Sequence, residues 1–235
     1  MDSLASIPVI LVHGWGGSFN NTWHKPGIDA LLIDSGRRVI GMDLLGHGSS
    51  DKPHDPNAYS DLHQWFLATL PANEPVVDVV AFSLGALTVL RALIEAPHRF
   101  GRVVLAGIGD GVFLPHDPTA SNRIIAALQG TAPADDNIAR LFSQYASQPG
   151  NDVAALTAIM QRPESQALRA EDLGAIDNQV LIAIGDKDFA APATRLAESF
   201  PNGSLVNLKN VDHFATPEAF SFIDTILDFL SGKNQ

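Results

Sequence analysis

The segment VVDVVAFSLGALTVLRALIEA, residues 76–96, constrains the fold of this chain more than any other. It reads as an apolar strand up to Ala81, turns at one hydroxyl, Ser83, and continues as an apolar helix from Leu84. A strand that is apolar on nearly every residue is buried on both faces, the condition of a parallel strand covered by helices. A strand that runs straight into a helix begins the crossover that a parallel sheet needs. Ala81 and Gly85 stand two residues before and two after Ser83. A strand-to-helix corner sharp enough to expose one side chain crowds those two positions and requires both to be small.

The same alternation recurs along the chain. Apolar runs at 8–12, 37–43, 75–81, 102–109, 179–185 and 204–208 predict strands. Helical stretches are expected at 23–34 with Gly36 ending it, at 61–70 between a capping Ser60 and Pro71, at 84–96, around 192–200, and at 216–230. The predicted fold class is α/β, a mostly parallel sheet of about six strands flanked by helices. Between residues 111 and 173 the alternation stops. SNRIIAALQ, DNIARLFSQYA, DVAALTAIM and ESQALRAEDL read there as short helices separated by Pro and Gly. Residues 1–110 and 174–235 are therefore expected to form one core domain, interrupted by a helical insertion at 111–173.

Ligands of an open parallel sheet bind beyond the carboxyl ends of its strands, and Ser83 is expected at such an end. A serine there can simply cap the helix, or it can act as a nucleophile. A hydroxyl is a weak nucleophile near neutral pH and needs a base held by an orienting acid. Of the eight histidines, His213 alone follows the last strand-like run and precedes the last helix. The acid is expected after another strand end: Asp188 is the first choice, with Asp186 and Asp110 as alternatives at the same edge. The glycine-rich HGWGG loop after the first strand can curl close to a ligand and present N–H donors. The backbone N–H groups of Trp15 and Leu84 are the expected oxyanion donors. His13 is expected to brace that loop.

Composition narrows the choice of chemistry. The chain of 235 residues has 15 Lys and Arg against 26 Asp and Glu, a formal net charge of −11. Such a surface repels phosphate backbones and anionic membranes, so no nucleic-acid partner is expected. The absence of cysteine removes disulfides and thiolate chemistry. No His, Asp or Glu grouping has metal-ligand spacing, and the GIGDG string at 107–111 does not match a dinucleotide fingerprint. No cofactor and no metal are expected. The N-terminus lacks a basic leader, and no run approaches the roughly 20 apolar residues of a membrane span. The expected location is the cytoplasm.

The motifs VHGWGG, DLLGHGSSDKP, AFSLG, GDKDFAAP and DHF, taken together and in order, resemble the α/β-hydrolase superfamily. The chain order Ser83, Asp188, His213 fits that fold. The resemblance implies architectural roles for Asp43 and His47, and a helical cap at 111–173. This chain reaches its first strand by residue 8, so the family's leading antiparallel strands are expected to be absent. That leaves an edge open to pairing with a second copy, as in a homodimer. Ala81 stands where glycine is commoner, and Asp212 stands where relatives often have glycine. The activity implied is a serine carboxylesterase acting on small esters through an acyl-enzyme on Ser83. A lactonase, a thioesterase, a carbon–carbon bond hydrolase and a slow ligand sensor remain alternatives with the same triad.

Overall fold

The computed structural model describes residues 7–115, 117–163 and 165–232. Six strands form one sheet: β1 (Val9–Val12), β2 (Val39–Met42), β3 (Val77–Phe82), β4 (Phe100–Ala106), β5 (Val180–Gly185) and β6 (Gly203–Leu208). Every pairing is parallel, in the order β2-β1-β3-β4-β5-β6. The helices among the described residues are α1 (Ile28–Asp34), α2 (Leu62–Thr69), α3 (Leu84–Glu95), α4 (Pro118–Leu128), α5 (Asn137–Ala146), α6 (Val153–Met160), α7 (Ala170–Leu173), α8 (Thr194–Glu198) and α9 (Phe220–Ser231).

Alternate residues of each central strand face opposite cores, as the two-residue period of a strand requires. Ile10, Val12, Val79, Ala81, Val103 and Leu105 pack with α2, α3 and α8. Val9, Leu11, Val80, Phe82, Val104 and Ala106 pack with α1 and α9. Burial on both faces explains the unbroken apolar runs in the sequence. At the amino end of β3 a buried ion pair stitches the layers: Arg37 donates to Asp78 and to the carbonyls of Ile7 and Leu230, while Asp78 accepts from the Arg102 N–H.

The strand order fixes where a ligand can sit. The chain steps from β1 outward to β2, returns across β1 to β3, and then runs the other way. The direction reverses between β1 and β3, and crossovers diverging on either side of that point open a crevice at the strands' carboxyl ends. The loops after β1 and β3 carry His13–Gly17 and Ser83.

The first three helices between β4 and β5, α4, α5 and α6, start on aspartates. Asp117, Asp136 and Asp152 accept from the backbone N–H of Thr119, Ala139 and Ala155, the usual way a helix start satisfies its orphan donors. These helices lie over the carboxyl edge of the sheet. The Trp15 indole donates to the Leu156 carbonyl, and Asn151 donates to the Gly16 carbonyl.

The structure corrects three local expectations. Ser60 does not cap α2: its hydroxyl donates to the Asn57 carbonyl in the preceding turn, and Asp61 is the flanking residue. The expected helix at 164–173 shortens to α7, and Glu164 lies outside the described residues. Its earlier backbone is drawn to tertiary partners: the Leu168 N–H donates to Val112, and the Gln166 carbonyl accepts from Arg91. The stretch 23–34 is broken by Gly27 at φ 82° into a π-type turn, Asn20–His24, and α1.

Candidate active site

Ser83 sits between β3 and α3 with φ 52° and ψ −115°. That conformation is open to glycine and strained for other residues, at a cost on the order of 1–3 kcal/mol. Regular structure on either side holds it: the Ser83 N–H donates to Ala106, and its carbonyl accepts from Leu87. The corner leaves no room at Gly85, where a Cβ would lie 2.4 Å from the His13 carbonyl oxygen. The loop after β1 abuts the corner as well, since a Cβ on Gly14 would lie 3.1 Å from the Ser83 Cβ.

His213 comes from the loop after β6 and Asp188 from the loop after β5. His213 Nε2 lies 2.9 Å from Ser83 Oγ, and its Nδ1 lies 2.9 Å from each Asp188 oxygen. An ionised carboxylate is acceptor-only, so Nδ1 carries the proton and Nε2 is free to accept from the serine. The Ala190 N–H donates to Asp188 and fixes the carboxylate. His213 and Asp188 are both buried, and the imidazole lies among Phe189, Phe82 and Phe214 with ring centroids 4.2, 5.0 and 5.7 Å away. The alternative acids are occupied elsewhere. Asp186 accepts from the Asn210 N–H, and Asp110 accepts from Leu196 in the first turn of α8.

Two buried histidines shape the loop after β1. His13 Nε2 accepts from the Leu44 N–H, and His47 Nε2 accepts from the Gly16 N–H. Their Nδ1 atoms face the Gly14 and Leu45 carbonyls. Both rings are therefore neutral with the proton on Nδ1, because a protonated ring could accept nothing at Nε2. Burial, reinforced by His13, pushes the His47 pKa down to about 3, and burial lowers that of His13 in spite of its Gly14 bond and nearby Asp43. Burial raises the Asp43 carboxyl, but bonds from Ser49 and Phe19, with His13 close by, outweigh it and hold the pKa below the ordinary carboxylate range. Among the described residues, no acceptor engages the backbone N–H of Trp15 or Leu84.

The histidine brace predicts acid sensitivity. The folded His47 pKa lies below its unfolded value of 6.5, so the unfolded chain binds the extra proton and stability falls as pH drops from about 6.5 towards about 3. A shift of one pKa unit corresponds to about 1.4 kcal/mol. Between pH 7 and pH 5, His47 is expected to remove about 2 kcal/mol of stability. Urea unfolding of wild type and His47→Gln at both pH values checks this: the variant should lose about 2 kcal/mol less over that interval. Equal losses would show that His47 is not held neutral.

The structure adds residues that the sequence reading did not single out. Phe142 and Tyr145 of α5 cover the site: Phe142 packs on Trp15 and Phe214, and Tyr145 on Phe214. A Cβ on Gly16, which has φ 73°, would lie 2.8 Å from the Tyr145 ring. The apolar stripe of α5 was the available signal, but a stripe does not say which surface it meets. A cavity of about 610 Å³ opens beside the corner serine. Ser83, Asp188 and His213 do not line it, but Leu84 and Phe189 do, and it extends along α3 past Thr88 and Arg91 to Met160 and Arg162.

Known proteins share both sequence and fold with this chain. A family model for the alpha/beta hydrolase fold matches residues 7–220. An esterase of Mycobacterium tuberculosis is 32% identical over 152 residues, a match covering 63% of this chain and 49% of that protein. The match thus spans about half the length of that relative. A 2-hydroxy-6-oxo-2,4-heptadienoate hydrolase of Pseudomonas putida is 26% identical over 255 residues, covering 98% of this chain and 91% of that protein. The crystal structure of an enol-lactonase from Burkholderia xenovorans superposes with a TM-score of 0.75 at 20% identity, over 96% of this chain and 92% of that one. This last likeness is one of fold.

Proposed function

Because the chain belongs to the alpha/beta hydrolase family, we propose that it is a serine hydrolase cleaving small carboxylic esters through an acyl-enzyme on Ser83. The observation that carries this reading is the single imidazole, His213, in reach of Ser83 Oγ on one side and Asp188 on the other. Ser83 attacks the ester carbonyl as His213 Nε2 takes its proton. The N–H groups of Trp15 and Leu84 hold the oxyanion, a contribution worth about 100- to 1,000-fold in rate per donor. His213 then returns the proton to the leaving alcohol. A water molecule repeats the sequence on the acyl-enzyme and frees the acid. Asp188 fixes the imidazole tautomer and stabilises its charged form. Residues 111–173 serve as the cap that closes over this site.

A second reading, a carbon–carbon bond hydrolase with the same triad, is favoured by the near full-length match to the heptadienoate hydrolase. The test is a panel of p-nitrophenyl esters from acetate to octanoate beside 2-hydroxy-6-oxo-2,4-heptadienoate itself. The esterase reading expects ester turnover with kcat on the order of 1 to 1,000 per second and at most trace cleavage of the dienoate. Efficient dienoate cleavage with slow ester turnover would replace it with the second reading.

A further inference from the structure

Two arginines share the cavity beside Ser83. Arg91 comes from α3 and Arg162 from the segment after α6, and both line the same space. Among the described residues, four arginines face carboxylates, Arg37 with Asp78, Arg38 with Glu74, Arg123 with Asp136 and Arg169 with Asp172, while Arg99 and Arg102 bond to backbone carbonyls, Arg140 bonds to Asn137 and Arg195 lies over Phe113. Arg91 and Arg162 have no carboxylate partner among the described residues. Arg91 donates to the Gln166 carbonyl and Arg162 to the Ile159 carbonyl. In a chain with 26 acidic residues against 15 lysines and arginines, what sets Arg91 and Arg162 apart is that two like charges share one half-enclosed space, a setting that favours an anion from outside. Burial lowers the pKa of both, and the Arg91 charge adds to that effect on Arg162.

The position of the pair sets the shape of its ligand. Leu84, Thr88 and Arg91 line one face of α3 at four- and three-residue spacings, the periodicity of a single helix face. Seven residues of α-helix separate the Leu84 N–H from the Arg91 backbone, a rise of about 10 Å. Among the described residues, the other ionisable side chains on the cavity wall are His63, which faces Glu95 at 3.2 Å, and Asp117.

We infer that Arg91 and Arg162 form a carboxylate-binding subsite, so that the substrate is an ester whose far end, about 10 Å from the scissile carbonyl, carries a carboxylate. The inference rests on the hydrolase reading for the word substrate, while the anion site itself rests on the cavity and its two arginines. The planar guanidinium fork matches a carboxylate through paired N–H donors. Anchoring the remote end would set the scissile carbonyl near Ser83 and Leu84.

Two measurements test this. The first is the ratio of kcat/KM for mono-p-nitrophenyl suberate to that for p-nitrophenyl octanoate, esters of equal chain length differing in the terminal carboxylate. Wild type should favour the suberate ester roughly tenfold or more, the scale of one charge-assisted hydrogen bond. Arg91→Gln/Arg162→Gln should reduce that ratio at least tenfold, and Arg91→Lys/Arg162→Lys should restore part of it. A ratio unmoved by the glutamine pair, in protein with an unchanged circular dichroism spectrum, overturns the subsite. The second is calorimetric titration of suberate into Ser83→Ala, with and without the two glutamine substitutions. Arginine-dependent binding is expected, and no binding to the Ser83→Ala protein overturns the proposal. Suberate binding without ester turnover would remove the esterase reading and leave the anion site standing. Turnover of both esters with no carboxylate preference would do the reverse.

Discussion

Replacing Ser83 with alanine is expected to lower kcat for any ester the protein hydrolyses by about 10⁴- to 10⁶-fold, because triad members act as a unit and loss of the nucleophile removes the whole covalent route. What survives is the contribution of binding and oxyanion contacts. His213→Ala should fall in the same range, and Ser83→Ala/His213→Ala should be little worse than either alone. Asp188→Asn should cost roughly 10⁴-fold, since an amide in place of the carboxylate favours the wrong imidazole tautomer. A fourth variant separates chemistry from folding. Ser83→Gly removes the hydroxyl too, but it relieves a residue held at φ 52° and ψ −115°. Relief of about 1–3 kcal/mol of strain, offset by about 0.5–1 kcal/mol of added chain entropy, should leave the dead glycine variant more stable than wild type by about 1 kcal/mol. Urea unfolding beside stopped-flow ester hydrolysis reads both quantities. A Ser83→Ala protein that retains more than a hundredth of wild-type kcat would contradict the assignment of Ser83 as nucleophile.

The largest stability effect is expected at the opposite end of the same strand. Asp78 and Arg37 are both buried, and the pair joins β3 to the Ile7 and Leu230 carbonyls. Asp78→Ala would strand a buried guanidinium and deprive the Arg102 N–H of its acceptor. Breaking a buried pair from one side costs about 3–5 kcal/mol. At about 2–4 °C per kcal/mol for a chain of this size, Tm should drop by roughly 6–20 °C. Replacing both partners with apolar residues of similar volume should recover most of the loss, because no charge is then left buried without a counter-charge. Ester hydrolysis by the folded Asp78→Ala protein should match wild type, since Asp78 lies near the amino end of β3 and Ser83 follows its carboxyl end. A Tm shift below 2 °C would show that the pair is poorly coupled to the fold.

The sheet was legible because its central strands, buried on both faces, write themselves as nearly unbroken apolar runs, and each expected run became a strand whose ends lie within three residues of those read from the sequence. The corner serine was legible because its geometry demands small neighbours, and Gly85 does meet the His13 carbonyl with no space for a methyl group. Asp188 could be ranked above Asp186 and Asp110 by spacing alone, but its bond to His213 depends on two loops 25 residues apart in sequence meeting at the sheet edge. The histidine brace was less accessible. His13 and His47 act through Nε2 acceptors that reach across 31 residues, and no local pattern states a tautomer. Ser60 has the right residue type for a helix cap, yet its hydroxyl found the Asn57 carbonyl first. The paired arginines were invisible for the same reason: Arg91 and Arg162 are 71 positions apart, and only the packing of the segment after α6 against α3 puts them in one cavity.

In the proposed mechanism His213, held by Asp188, makes Ser83 nucleophilic. The most direct test of this mechanism is covalent capture with a fluorophosphonate, read by intact-protein mass and peptide mapping. A single adduct on Ser83 is expected in wild type, with at least a hundredfold slower labelling in His213→Ala. A folded wild-type protein that takes up no label, or takes it at another residue, would contradict the mechanism and return Ser83 to the role of a strained helix start.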